Sequence, residues 1–85
     1  MTYKIEFQKS AAKTFRRLDK TTTEKVRKAI DKLAENPRPF GYKKLVDEED
    51  LYRIRVGNYR VIYEIHDRVL VIVILRLARR NEDTY

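Results

Sequence analysis

Residues 51–65 read LYRIRVGNYRVIYEI, and this stretch decides the fold. In its first half, tyrosine, isoleucine and valine alternate with Arg53 and Arg55, which is the period-two pattern of a strand with one buried face. The Gly57-Asn58 pair has turn chemistry, and the alternation resumes after it with Arg60 on the polar side. The stretch therefore predicts a β-hairpin that presents three arginines on one face.

The segments before the hairpin predict one strand and two helices. Apolar residues at positions 3, 5 and 7 alternate with charged ones, which is typical of a half-buried strand. From about Ser10 the apolar residues take helical spacing. Thr21 and Glu24 have the spacing of a capping box at the start of a second helix, which must end near Asn36 because Pro37 cannot continue it.

The remaining segments complete a predicted sheet. A short extended segment around Lys43 and Lys44 precedes an acidic stretch, Asp47–Asp50, which indicates a solvated loop. After a turn at His66-Asp67, the continuous apolar run Val69–Leu75 is typical of a strand covered on both faces. We expect an α+β fold of order β-α-α-β-β-β, with two N-terminal helices on one face of a mainly antiparallel sheet and the other face open.

Composition limits the class of protein. The 85 residues are 42% hydrophobic and 39% charged, which predicts one folded domain over residues 1–85. The absence of cysteine excludes disulfides and thiolate chemistry. No apolar run is long enough for a signal peptide or a membrane span, so we expect a cytoplasmic protein with no membrane partner.

Charge provides the first functional indication. The net charge is +7, and every basic residue after Lys44 is an arginine. Arginine binds phosphate through a planar, bidentate fork, so this distribution predicts a surface that contacts a phosphate-rich partner. The alternative is a sheet face that is merely soluble. On the predicted open face, Arg53, Arg55 and Arg60 should lie within reach of one another.

Other polar residues have simpler interpretations. His66 is expected to be an exposed turn residue, and Glu64 to pair with an arginine. A row of lysines on the second helix is either a solvated face or a contact for RNA; its members are Lys25, Lys28 and Lys32. No histidines or carboxylates have metal-ligand spacing and no glycine-rich phosphate loop is present, so we expect neither a metal nor a nucleotide cofactor.

Five features together resemble the RelE/ParE superfamily of toxins from prokaryotic toxin–antitoxin pairs. They are the element order, the NPRP sequence at the end of the second helix, the KKL segment at 43–45, the stretch LYRIRVGNYRVIYEI at 51–65, and the closing basic segment LARRNEDTY at 77–85. The resemblance covers nearly the whole chain and implies the RelE-like microbial RNase fold. In the RelE branch it implies cleavage of messenger RNA in the ribosomal A site, and in the ParE branch inhibition of DNA gyrase.

The resemblance also implies site residues. The family's Tyr-basic-X-basic strand corresponds to positions 52–55, where Arg53 and Arg55 stand in place of lysines. The family's next strand arginine corresponds to Arg60, its final basic residue to Arg80 with Arg79 as the alternative, and its C-terminal tyrosine to Tyr85. Further RNA contacts are expected from four basic residues: Lys43, Lys44, Arg76 and Arg79.

Three functions follow as hypotheses. The first is a metal-independent, ribosome-dependent mRNA endonuclease, with an antitoxin protein, mRNA and ribosomal RNA as partners. The second is a ParE-like gyrase inhibitor. The third is a catalytically weak RNA-binding domain, which is considered because arginine, protonated up to about pH 12, is a poor general base.

Overall fold

A computed structural model describes residues 2–39, 41–45 and 51–79. The predicted α+β architecture is confirmed, and the extended segment at Lys43 forms an additional two-residue strand. The elements are β1 (Lys4–Phe7), α1 (Lys9–Arg17), α2 (Lys20–Glu35), β2 (Lys43–Lys44), β3 (Leu51–Val56), β4 (Tyr59–His66) and β5 (Val71–Arg79). Three predictions fall outside the described residues: the acidic loop Asp47–Asp50, Arg80 and Tyr85.

The five strands form one sheet in the order β1-β5-β4-β3-β2. Strand β1 runs parallel to β5, and the other neighbouring pairs are antiparallel. The parallel pair requires a crossover between β1 and β5, and α1 and α2 belong to that connection. Both helices pack on the same face of the sheet, because their buried residues belong to one core cluster.

The core lies between this face and the helices. Helix α2 contributes Val26, Ile30 and Leu33, all less than 4% exposed. In β3 and β4, every second residue faces these side chains, because side chains alternate between the two faces of a strand. The buried sheet residues in this cluster are Ile54, Val61, Tyr63, Ile65, Ile72, Ile74 and Leu77.

The start of α2 differs from the prediction. Asp19, rather than Thr21, is the N-cap, and its side chain accepts a hydrogen bond from the backbone N–H of Thr22 at 3.3 Å. Thr21 lies inside the first turn, so the predicted capping box is wrong. Aspartate is among the best N-cap residues, and its placement before Lys20 starts the helix earlier. The predicted end near Asn36 is confirmed, because α2 ends at Glu35 with Asn36 as its C-cap.

The turn between β4 and β5 also lies later than predicted. His66 ends β4, and residues 67–70 form the turn. Leu70 has a φ of 55°, a left-handed conformation that interrupts an extended chain, and Val69 is 68% exposed. The prediction that the strand begins at Val69 is therefore wrong. The predicted cover on both faces is partial among the described residues, because Val71 and Val73 are half-buried. Strand β5 begins at Val71, and the helices cover only one of its faces.

Candidate nucleic-acid interface

The sheet face opposite the helices carries four arginines, and we call it the arginine face; it is defined by Arg53, Arg55, Arg60 and Arg76. Arg55 is the direct cross-strand neighbour of Arg60. One row further along the strands, Ile62 lies between Arg53 of β3 and Arg76 of β5. Directly opposed Cβ atoms in an antiparallel pair are about 5 Å apart, so the four guanidinium groups can reach a common ligand.

A β-bulge places Arg76 on this face. The register between β4 and β5 shifts between Ile62 and Tyr63, whose partners are Arg76 and Ile74, so Leu75 is an extra residue. Strict alternation from Ile72 and Ile74 would point Arg76 toward the helices. The extra residue reverses the alternation, so Leu77 rather than Arg76 enters the core.

Ile62 is buried although it lies on the arginine face. It is 1% exposed, while the described helices pack on the opposite face of the sheet. Its immediate cross-strand neighbours are Arg53 and Arg76, whose alkyl chains are suited to covering apolar surface while the charged ends stay in water. Packing against Ile62 would restrict both arginines before any ligand binds.

The arginine face combines high positive charge with partial burial. Arg53 and Arg60 are half-buried, and the Nε atom of Arg60 is shielded from solvent. Arg55 and Arg76 are exposed. Arginine keeps its charge in such surroundings and offers five donors in a fixed geometry, so the face is suited to binding phosphate oxygens.

The other predicted RNA contacts are distributed over the molecule. Lys43 is the cross-strand neighbour of Arg53 and extends the arginine face to the β2 edge. Lys44 and Arg79 are the neighbours of Tyr52 and Tyr59, on the helix side of the sheet. The three lysines of α2 are exposed on the helix layer, away from the arginine face: Lys25, Lys28 and Lys32.

Asp67 joins segments that are far apart in sequence. Its carboxylate accepts hydrogen bonds from the Tyr3 hydroxyl at 2.6 Å and from Nη2 of Arg38 at 3.0 Å. The bonds from Arg38 and Tyr3 lower the pKa of Asp67, and the bond to Asp67 raises the pKa of Tyr3. The guanidinium of Arg38 also lies 5.7 Å from the ring centre of Tyr52. Sequence patterns do not predict this network, because its partners are 29 and 64 residues from Asp67.

Glu64 and His66 lie on the same side of β4 as Arg60. Oε1 of Glu64 is 2.9 Å from Nε2 of His66. The sequence predicts an arginine partner for Glu64, whereas the partner described here is a histidine two positions further along the strand. His66 is exposed, as predicted, but it belongs to the strand rather than to the turn.

Among residues 2–39, 41–45 and 51–79, no cluster of three histidine or acidic side chains has the arrangement of a metal site. In the same part of the chain, no helix is both long and apolar enough to cross a membrane.

Known proteins with related sequences and structures are toxins. The family described as the ParE toxin of the type II toxin–antitoxin system parDE matches residues 5–84. A protein of Methanocaldococcus jannaschii that carries the name toxin RelE1 is 30% identical, over 95% of this chain and 93% of that protein. The mRNA interferase toxin RelE of Escherichia coli K12 is 29% identical, over 95% of this chain and 86% of its own length.

Solved structures agree in fold. The archaeal RelE–RelB complex from Pyrococcus horikoshii superposes with a TM-score of 0.84 at 35% identity, covering 98% of this chain and all of the matched one. The E. coli RelBE toxin–antitoxin complex gives a TM-score of 0.81 at 28% identity, covering 91% of this chain and 95% of that one. The chain therefore belongs to the RelE/ParE superfamily of toxins from type II toxin–antitoxin systems.

Proposed function

We propose that this toxin is an endoribonuclease of the RelE type that cleaves messenger RNA in the ribosomal A site. The observation that carries the proposal is the arginine face, where Arg53, Arg55 and Arg60 occupy neighbouring positions on two paired strands. The relative of E. coli is named an mRNA interferase, which supports the same activity. A RelB-type antitoxin is the proposed neutralising partner, as in the complexes of the structural neighbours.

The proposed reaction uses the substrate as its own nucleophile. The 2′-hydroxyl oxygen bonds to the adjacent phosphorus and the bond from phosphorus to the 5′ oxygen breaks. The products are a 2′,3′-cyclic phosphate and a 5′-hydroxyl. The 2′ oxygen loses one proton and the 5′ oxygen gains one, so the reaction is balanced. Charge builds on the non-bridging oxygens in between, and guanidinium groups fixed beside them stabilise it.

Arginine accounts for this stabilisation better than for proton transfer. Its pKa is too high for it to act as a general base at neutral pH. We therefore assign Arg53, Arg55, Arg60 and Arg80 to phosphate binding and transition-state stabilisation. Tyr85 is the proposed group for orienting the nucleotide or exchanging a proton, and the ribosome or the messenger supplies the remaining proton transfer.

The test is cleavage of mRNA on programmed ribosomes by purified toxin. We expect Arg60→Ala to slow cleavage roughly 100-fold to 1,000-fold, the usual loss when one oxyanion-stabilising donor is removed. Arg68→Ala is the matched control, because Arg68 is an exposed arginine in the turn after β4 and lies off the arginine face. Equal cleavage by the Arg60→Ala variant and the wild type would contradict the site assignment.

A parallel assay addresses the other branch of the superfamily. The same preparations are incubated with DNA gyrase and relaxed plasmid DNA, with supercoiling as the measured product. Blocked supercoiling together with intact mRNA would identify a ParE-like inhibitor. Binding of RNA without cleavage would identify a catalytically weak RNA-binding domain.

A further inference from the structure

A small cleft lies beside the tip of the β3–β4 hairpin. Its volume is about 140 Å³. Thr22 and Lys25 of α2 form one wall, and the hairpin forms the other. The hairpin residues that line the cleft are Val56, Gly57, Asn58 and Tyr59.

The lining of the cleft is suited to a nucleobase. Tyr59 supplies an aromatic side chain of the type on which bases stack. Asn58 supplies an amide that both donates and accepts hydrogen bonds, as a base edge requires. Lys25 places a positive charge at the wall, where a phosphate attached to the base's own nucleotide would lie.

The volume of the cleft favours a single six-membered ring. A cavity of about 150 Å³ in another protein accepts benzene. A cleft of about 140 Å³ therefore has room for a pyrimidine base, whereas the second ring of a purine would extend into solvent.

The cleft is continuous with the arginine face around the hairpin tip. Arg55 and Arg60 form the last pair on the arginine face before the turn, and Val56 and Tyr59 form the last pair of all, on the helix side. The turn between them is only two residues long. A Cβ atom built on Gly57 would have no atom of the described residues within 4 Å, so these residues leave space beside the turn at that point.

We propose that this hairpin cleft binds one pyrimidine base of a single-stranded RNA whose neighbouring phosphate lies on the arginine face. The proposal rests on the RNA-directed function proposed above and adds a base-binding subsite to it. Phosphate contacts position a strand without reading its sequence, so the cleft is the part of the molecule that distinguishes one nucleotide from another.

The experiment measures binding of the full chain to three fluorescein-labelled RNA strands of equal length by fluorescence anisotropy. One strand is entirely abasic, one carries a single uridine and one carries a single adenosine. We expect the uridine strand to bind about fivefold or more tightly than the abasic strand, as for one stacked base, and the adenosine strand to gain less.

Substitutions in and outside the hairpin cleft test whether the tighter binding of the uridine strand arises there. Asn58→Ala and Lys25→Met should reduce the advantage of the uridine strand to less than about twofold. Lys32→Met is the matched control, because it removes the same charge from the same helix outside the cleft, and it should retain the full advantage. Thr22→Leu narrows the cleft from the α2 side. It therefore tests the role of the cleft independently if Asn58→Ala destabilises the hairpin turn. Arg60→Ala should weaken binding to all three strands alike.

Three results would overturn the proposal. They are equal binding of the wild type to uridine and abasic strands, no measurable binding of any strand, and a uridine advantage that survives in both Asn58→Ala and Thr22→Leu. Cleavage on ribosomes is measured with the same preparations. If the toxin cleaves mRNA on ribosomes but binds the uridine and abasic strands equally, only the base-binding role of the hairpin cleft is rejected. If it prefers the uridine strand but does not cleave mRNA, only the endonuclease function is rejected.

Discussion

At the scale of single residues, Asp67 connects three separate segments through one carboxylate. Tyr3 precedes β1, Arg38 follows α2, and Asp67 itself begins the turn after β4. Arg38 in turn lies over the ring of Tyr52, on the opposite side of β3 from Arg53. The network therefore stabilises the helix side of the same strand that carries two arginines of the proposed site.

The pH dependence of stability should report on this carboxylate. Because Arg38 and Tyr3 lower the pKa of Asp67, the stability it contributes is present above the unfolded pKa, about 3.9, and is lost as the pH falls through the lower folded value. We expect Asp67→Asn to lower the urea midpoint at neutral pH. The difference in urea midpoint between the variant and the wild type should narrow as the pH falls through these two pKa values. Asp31→Asn, on the exposed side of α2, is the control. If the difference in urea midpoint between the wild type and Asp67→Asn stays constant over the whole pH range, the charge of Asp67 contributes nothing to stability.

At the scale of elements, the β3–β4 hairpin depends on the conformation of Gly57. Its φ of 59° at the first position of a two-residue turn fits the type II′ class, in which glycine is preferred at that position. This turn sets the register that makes Arg55 and Arg60 neighbours. The conformation of a single residue thus determines the geometry of the proposed phosphate site.

Substitution of Gly57 should measure that dependence. A Cβ atom at this position would meet no other atom, so the cost is conformational rather than steric. We expect Gly57→Ala to reduce the free energy of unfolding by about 1–2 kcal/mol, which is the order of the cost of a positive φ for a residue with a side chain. Gly57→Asn should cost less, because asparagine is among the residues that accept a positive φ in such turns. Urea denaturation of the three proteins gives the comparison, and equal losses for alanine and asparagine would point to a steric cause instead.

Prediction from sequence succeeds where the cause is local. The alternation that places Arg53, Arg55 and Arg60 on one face follows from strand geometry alone. Arg76 is different, because only the bulge at Leu75 turns it to that face, and a bulge depends on how two strands meet. The predicted N-cap is wrong because Asp19 and Thr21 both have suitable chemistry, and only the path of the chain between α1 and α2 decides between them.

At the scale of the whole molecule, positive charge lies on two opposite sides. The arginine face lies on one side of the sheet, and the exposed lysines of α2 lie on the other side, in the helix layer. A single RNA strand on the arginine face would lie on the opposite side of the sheet from Lys28 and Lys32. We infer that the arginine face binds the messenger and that these lysines contact ribosomal RNA when the toxin is bound to the ribosome.

The dependence of RNA binding on salt should separate these two surfaces. Each phosphate neutralised on a single strand contributes about −0.7 to the slope of log affinity against log salt concentration, so four arginine contacts predict a slope of about −3. We expect Arg55→Ala and Arg76→Ala each to make the slope for a short single-stranded RNA shallower by about 0.7. Lys28→Ala and Lys32→Ala should leave that slope unchanged but weaken sedimentation of the toxin with ribosomes. If the lysine variants change the slope as much as the arginine variants do, the short strand binds the arginine face and the α2 lysines alike. The molecule then attracts RNA through its net charge of +7 rather than through a defined face.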